Sequence, residues 1–210
     1  MKDKMKNKIK ELLSKSENND IITCLQEINE LFLRDYQIKI GNEIIEPLQV
    51  EAYYYHPKLF RDSSVHKSQL QTNNFGKLYF HPGPSNRSGV DICLSDSEEY
   101  FLSLLLKTAY VFSRTNTSKK ESFTQSELAA KFKDKYNNEI VLEPKSPVFH
   151  TQRVGLAEKC DYKDELLGAI IGIENKDIQF SFAERFGKEK TVKRNQPDKI
   201  KEYLGYNLKK

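Results

Sequence analysis

Nine side chains able to move protons or hold polar ligands crowd into 41 residues: Glu51, Tyr53, Tyr55, His56, Asp62, His66, Tyr79, His81 and Asp91. Three of the chain's four histidines are among them. A carboxylate near phenols and imidazoles is the equipment of general acid–base chemistry, in which a positioned side chain takes a proton from water or gives one to a leaving group. The same region is locally basic, because across 56–90 Lys58, Arg61, Lys67, Lys77 and Arg87 face only Asp62. Cations interleaved with aromatic rings suit nucleic acid, the cations following phosphates while ring faces stack on bases. The five basic residues are thus candidates for contact with a nucleic-acid backbone. The plainer reading is that Tyr and His sit at interfaces as ordinary hydrogen-bonding residues and that basic loops are simply solvated.

The common chemical signatures are missing. The sequence holds no phosphate-cradling glycine loop, no G-x-S-x-G, no H-E-x-x-H and no C-x-x-C. His56, His66, His81, Asp91 and Glu51 form a pool of ligand types that would suit metal-assisted phosphodiester hydrolysis, but no two stand at a diagnostic spacing. The expectation is no metal and no cofactor.

The elements that must position these residues follow from periodicity. Ile9, Leu12 and Leu13, then Ile21 through Phe32, recur at helical spacing and predict two short opening helices, with Ser16 to Asp20 as a break that offers an N-cap. The period then becomes two. Tyr36 to Ile40 reads as a strand, Gly41-Asn42 as a turn and Leu48 to His56 as a longer strand. In that strand Leu48, Val50, Ala52, Tyr54 and His56 share one face, and Gln49, Glu51, Tyr53 and Tyr55 the other. Residues 57–76 and 82–88 read as long polar connections of the kind that carry function. Further strands are expected at 77–81, 89–95, 139–142, 149–156 and 169–174, with 100–112 either a strand or a buried helix. Thr124-Gln-Ser-Glu127 is a capping-box pattern opening a helix to about Tyr136. Pro197 fits the start of a short C-terminal helix. The whole is an α+β chain, mostly antiparallel and strand-rich in its centre, with a helical arm over 1–35, a central domain over 36–195 and a basic tail over 196–210.

With 210 residues there is room for one sizeable core, and the 12 Phe and 11 Tyr are incompatible with wholesale disorder. The net charge of +4 belongs to the ends: 1–15 carries +4 and 188–210 carries +5, which leaves 16–187 at −5. No apolar run is long enough to span a membrane. Cys24, Cys93 and Cys160 lie in or beside apolar stretches and read as buried, reduced thiols; with no signal-like N-terminus, the expected compartment is the cytoplasm.

Several short motifs in one order carry a family resemblance. Val50-Glu51-Ala52-Tyr53, Asp62-Ser-Ser-Val-His66, Gly76-Lys-Leu-Tyr79, Gly89-Val-Asp-Ile-Cys93-Leu, Leu104-Leu-Leu-Lys107 and Arg153-Val-Gly155 resemble, over roughly 48–156, the alkyladenine (3-methyladenine) DNA glycosylase family. The resemblance implies that fold and the hydrolysis of the N-glycosidic bond of a damaged purine in DNA. Glu51 would activate water and Lys107 would stand where the family has arginine, as the catalytic pair. Tyr53, Tyr55, His66, Tyr79 and His81 would surround a base flipped out of its stack. The chain departs from the family pattern at several points. The interval from Glu51 to His66 is four residues longer, which leaves His56 as an alternative pocket histidine. The tyrosine-rich hairpin that wedges into duplex DNA is replaced by Pro82-Gly-Pro-Ser-Asn-Arg-Ser88, Ser95 closes the following strand in place of asparagine, and lysine lacks the planar fork of arginine. A non-catalytic nucleic-acid or ligand-binding protein of the same fold is the alternative.

Overall fold

Two long strands organise the chain: β2 (Glu43–His56) and β6 (Phe101–Ser113), paired antiparallel along most of their length. The computed structural model describes residues 2–14, 21–72, 74–81, 88–133, 138–142, 148–151, 153, 160–162, 165 and 167–171. Before β2 come α1 (Lys2–Ser14), α2 (Ile21–Asp35) and β1 (Tyr36–Ile40); between β2 and β6 come β3 (Phe60–Arg61), α3 (Gln69–Thr72), β4 (Leu78–His81) and β5 (Gly89–Cys93). After β6 follow β7 (Asn116–Thr124), α4 (Gln125–Phe132), β8 (Asn138–Leu142), β9 (Val148–Thr151) and β10 (Gly168–Ile171). All these strands join one antiparallel sheet whose main path runs β4-β5-β6-β2-β1-β8. The second edge of β2 is shared in turn by β1, β10 and β3, and that of β6 by β5 and β7. The expected α+β, strand-rich, antiparallel class is what folds.

One face of the sheet is apolar and packs on the two opening helices. Val50, Ala52 and Tyr54 of β2, Leu102, Leu104 and Leu106 of β6, and Val90 and Ile92 of β5 form a single buried cluster with Met5, Ile9 and Leu12 of α1 and Leu25, Ile28, Phe32 and Leu33 of α2. Each such side chain contributes about 1.5–3 kcal/mol of burial, so the helical stripes read from the sequence belong to the core. The proposed N-cap at 16–20 and the C-terminal helix lie outside the described residues.

The sheet curls until its ends meet. Asn138 opens β8, the last strand of the path, yet its side-chain Nδ2 donates to Gly76 O at 2.8 Å and its side-chain Oδ1 accepts from Leu78 N at 3.1 Å, at the start of β4, the first. Gly76 itself has φ +74, and a Cβ there would stand 3.3 Å from Ile140 Cδ1. Glycine therefore permits both the turn and the closure.

Several boundaries differ from expectation. The stretch expected at 100–112 is strand, not helix, and runs Phe101–Ser113. β2 begins five residues early, at Glu43, because Gly41-Asn42 makes a tight turn that pairs Ile40 with Glu43. The 57–76 connection is not structureless: Phe60 in β3 stacks on Tyr162 at 3.9 Å and packs on Tyr54 at 5.9 Å. β7 was not expected, since NTSKKESFT lacks apolar alternation. It forms because β6 offers a free edge and because the Lys120 ammonium stands 4.8 Å from the Phe112 ring centre while reaching Glu46 at 2.6 Å. Cys160 is half-buried rather than buried; Cys24 and Cys93 are buried, and all three are free thiols.

The capping box is present as read, with Thr124 accepting from Glu127 N and the Glu127 carboxylate accepting from Thr124 N at 2.8 Å. The α4 helix ends at Phe132, short of Tyr136. Thr124→Ala is expected to lower folding stability by about 1 kcal/mol, read from urea denaturation midpoints. No change in midpoint would mean the box carries nothing.

Candidate functional site

The face of the sheet opposite the helices is polar and buried. In an antiparallel sheet, residues paired across strands project to the same side. Register therefore aligns Glu51 on β2, Leu105 on β6, Asp91 on β5 and Tyr79 on β4 in one row, and Tyr53, Ser103 and Cys93 in the next. Alternation along β2 predicted that Glu51 and Tyr53 would share a face; pairing shows which other strands supply their neighbours.

Glu51 is fully buried, at 0 % exposure. Tyr53 OH donates to its Oε2 at 3.0 Å, and Lys107 Nζ stands 3.7 Å from its Oε1. Lys107 is 5 % exposed. Its direction has a local cause: the β2–β6 register slips so that Gln49 faces Thr108 and Val50 faces Leu106, which leaves Lys107 outside the pairing. Bulges of this kind re-aim a side chain. The two residues expected to be catalytic thus meet.

Arg153 ties this pair to the loop after β2. It is 2 % exposed, its guanidinium lies 4.8 Å from the Tyr53 ring centre, and it forms a short ion pair with Asp62. It also donates to Ser64 Oγ at 3.2 Å, to Tyr162 O at 3.3 Å and to Ala52 O at 3.4 Å. Tyr162 has φ 58, a left-handed conformation uncommon outside glycine. Asp62, also fully buried, accepts from Ser64 N at 2.9 Å and so closes a turn with its own side chain. That turn directs the chain toward His66, whose Nδ1 lies 3.2 Å from Tyr79 OH.

A second polar group occupies the neighbouring rows. Ser103 Oγ donates to Asp91 Oδ2 at 2.9 Å, and Gln71 of α3 reaches Ser103 Oγ at 3.3 Å and Asp91 Oδ2 at 3.5 Å. Burial, and then Asp91, hold the Cys93 thiol well above its ordinary value, which favours the neutral form over the thiolate.

The remaining expected site residues divide. Tyr55 lies under Lys67 Nζ at 3.8 Å and beside Phe101. Lys58, Arg61 and Lys67 are exposed, with Arg61 Nε bonded to Pro57 O at 2.7 Å. Lys77 is only partly exposed and donates to Asn138 O at 3.2 Å, which makes it part of the sheet's closure. Arg87 and the His81 side chain lie outside the described residues. His56 is on the other face: its Nδ1 accepts from Lys58 N and Leu59 N, and it lines a cleft of about 220 Å³ with Tyr54, Tyr100, Asp96 and Lys10 of α1. Between the two histidines, only His66 is on the loop that Asp62 and Arg153 fasten to Tyr53. Sequence reasoning gave no role to Arg153, Gln71, Ser103, Gln49 or Thr108, and counted Asp62 only among the nine polar side chains of 51–91. The motifs D-x-x-x-H and R-V-G contain Asp62 and Arg153, and an arginine within an expected strand was the available signal.

Burial, and then Glu51, raise the Tyr53 phenol well above its ordinary value, with Arg153 pulling it down. Tyr54 is pushed up to about 12, chiefly by burial. Above about pH 10 the unfolded chain loses these protons while the folded protein keeps them, so the contribution of these two phenols is constant below that pH and is lost as pH rises. Tyr53 alone is expected to contribute a decline of about 1.4 kcal/mol per pH unit. Urea denaturation at pH 9, 10 and 11 reads this directly, and Tyr53→Phe should flatten the slope; an unchanged slope would place the phenol in solvent.

Among the described residues, no three His, Cys, Asp or Glu side chains come together to hold a metal ion, and no helix is long and apolar enough to cross a membrane. No protein-family model and no curated protein matches the chain.

Proposed function

We propose that the chain is a DNA-base N-glycosylase-like enzyme that hydrolyses the N-glycosidic bond of a damaged purine, with Glu51 activating the water. The observation that carries the reading is the Glu51 carboxylate held between the Tyr53 phenol and the Lys107 ammonium on the polar face of the sheet. In this chemistry water attacks the anomeric carbon, its proton passes to the carboxylate, and the base leaves with the bonding electrons. The carboxylate also offsets the positive charge that develops on the sugar. Lys107 balances the carboxylate before reaction, and the Tyr53 ring, backed by Arg153, supplies a face for the base. The exposed cations Lys58, Arg61 and Lys67 suit the phosphates that flank it. The ordered resemblance to the alkyladenine DNA glycosylases supports the same assignment at Glu51, Tyr53, His66 and Lys107.

One observation favours a second reading, a binding module of similar architecture without catalysis: both oxygens of Glu51 already face protein partners, and the carboxylate is fully buried. Incubation with single- and double-stranded DNA carrying hypoxanthine or alkylated adenine, followed by chromatography of the free base, separates the two. Base release supports the enzyme; retention of DNA on a filter without release supports the binding module.

A further inference from the structure

We infer that Gln49 and Thr108 are the part of the Glu51 site that recognises its occupant, and that the occupant presents a neutral edge with a hydrogen-bond donor beside an acceptor. This rests on the reading of the site as a base pocket. Gln49 lies two residues before Glu51 on β2 and so projects to the same face. It pairs with Thr108 across β6, next to the slipped residue Lys107. Gln49 is 0 % exposed and Thr108 1 %. Among the described residues, neither carboxamide atom of Gln49 and not the Thr108 hydroxyl has a hydrogen-bond partner.

Buried polar side chains are hydrogen-bonded as a rule, and an orphaned carboxamide weakens the free protein. Here one donor–acceptor pair and one hydroxyl, on the face of β2 that carries Glu51, lack a partner among the described residues. The backbone of Gln49 is fixed on both sides, by β6 and by Ile170 of β10. Its side chain therefore gains partners from what enters the site, not from a shift of its strand. The carboxamide offers N–H and C=O side by side in one plane, which matches the paired donor and acceptor on the edge of a nucleobase; glutamine reads adenine bidentately in this way. A phosphate or carboxylate offers acceptors alone and would meet the Gln49 carbonyl and the Glu51 carboxylate with like polarity. The chemistry thus selects the base, rather than the sugar-phosphate, for this end of the site.

The test compares wild type with Gln49→Leu, using free adenine and unsubstituted purine, which lacks the exocyclic donor, as calorimetric probes. Wild type is expected to prefer adenine, and Gln49→Leu to lose about tenfold in adenine affinity and the preference with it. Because the leucine removes two unsatisfied buried atoms, its Tm is expected to rise by roughly 3–6 °C. A fall in Tm would show that Gln49 is structural and overturn the inference whatever the base binding. An unchanged preference in Gln49→Leu would overturn it while leaving the base pocket standing. Failure of wild type to bind either probe would remove the pocket and the inference together.

Discussion

Arg153→Met is expected to cost about 3–5 kcal/mol of folding stability, because it leaves the fully buried Asp62 carboxylate without its cation. Ser64 still donates to Asp62, but hydrogen bonds from a neutral hydroxyl and an amide do not balance a buried charge. The double variant Asp62→Asn with Arg153→Met should recover much of the loss, since the charge is then gone from both sides. Urea denaturation of the two single variants and the double closes the cycle. Additive losses would mean that the pair is not coupled. Arg153→Lys is expected to fall between: it keeps the charge but cannot hold Asp62, Ser64, Ala52 O and Tyr162 O at once with a planar fork. Its loss also frees the Tyr53 ring, which is how a residue far along the chain acts on the phenol that touches Glu51.

The second large effect concerns Glu51 and Lys107. Glu51→Gln removes the proposed base and simultaneously takes away the carboxylate that stands 3.7 Å from a 5 % exposed ammonium. A loss of about 3–5 kcal/mol in stability is expected from the second consequence alone. An inactive Glu51→Gln protein would therefore prove little by itself. Glu51→Gln with Lys107→Met removes both charges and is expected to return the denaturation midpoint close to that of wild type. Catalysis should not return: removal of a general base costs about 10²–10⁴ in rate. Lys107→Arg keeps the counter-charge at a position where the resembling family carries arginine, and should retain release within about tenfold.

How much of this was readable beforehand depends on whether the signal was local. The strand 48–56, the turn at Gly41-Asn42, the capping box at Thr124 and the apolar stripes of α1 and α2 follow from spacing within a few residues, and each is present. β7 was not readable, because its pairing is decided by the free edge of β6 and because Asn116, Thr117, Lys119, Lys120 and Glu121 are exposed. Glu51, Tyr53 and Lys107 were legible as types, and alternation put the first two on one face. That Lys107 reaches Glu51 depends on a register slip that no property of Leu104-Leu-Leu-Lys107 announces. Arg153 and Asp62 meet across 91 positions, a closure that only the folded chain brings about. His56 and His66 were alike in composition; the parity of β2, five residues on from Glu51, already assigned His56 to the other face.

The central claim is that the Glu51 carboxylate activates water for base release. Single-turnover release of free base from DNA carrying hypoxanthine or alkylated adenine, measured for wild type and for the folded Glu51→Gln, Lys107→Met double variant, tests it most directly. The account predicts release by wild type and a rate lower by at least about 10² in the double variant. Equal rates in the two proteins, or no release by wild type from any of these substrates, would contradict it.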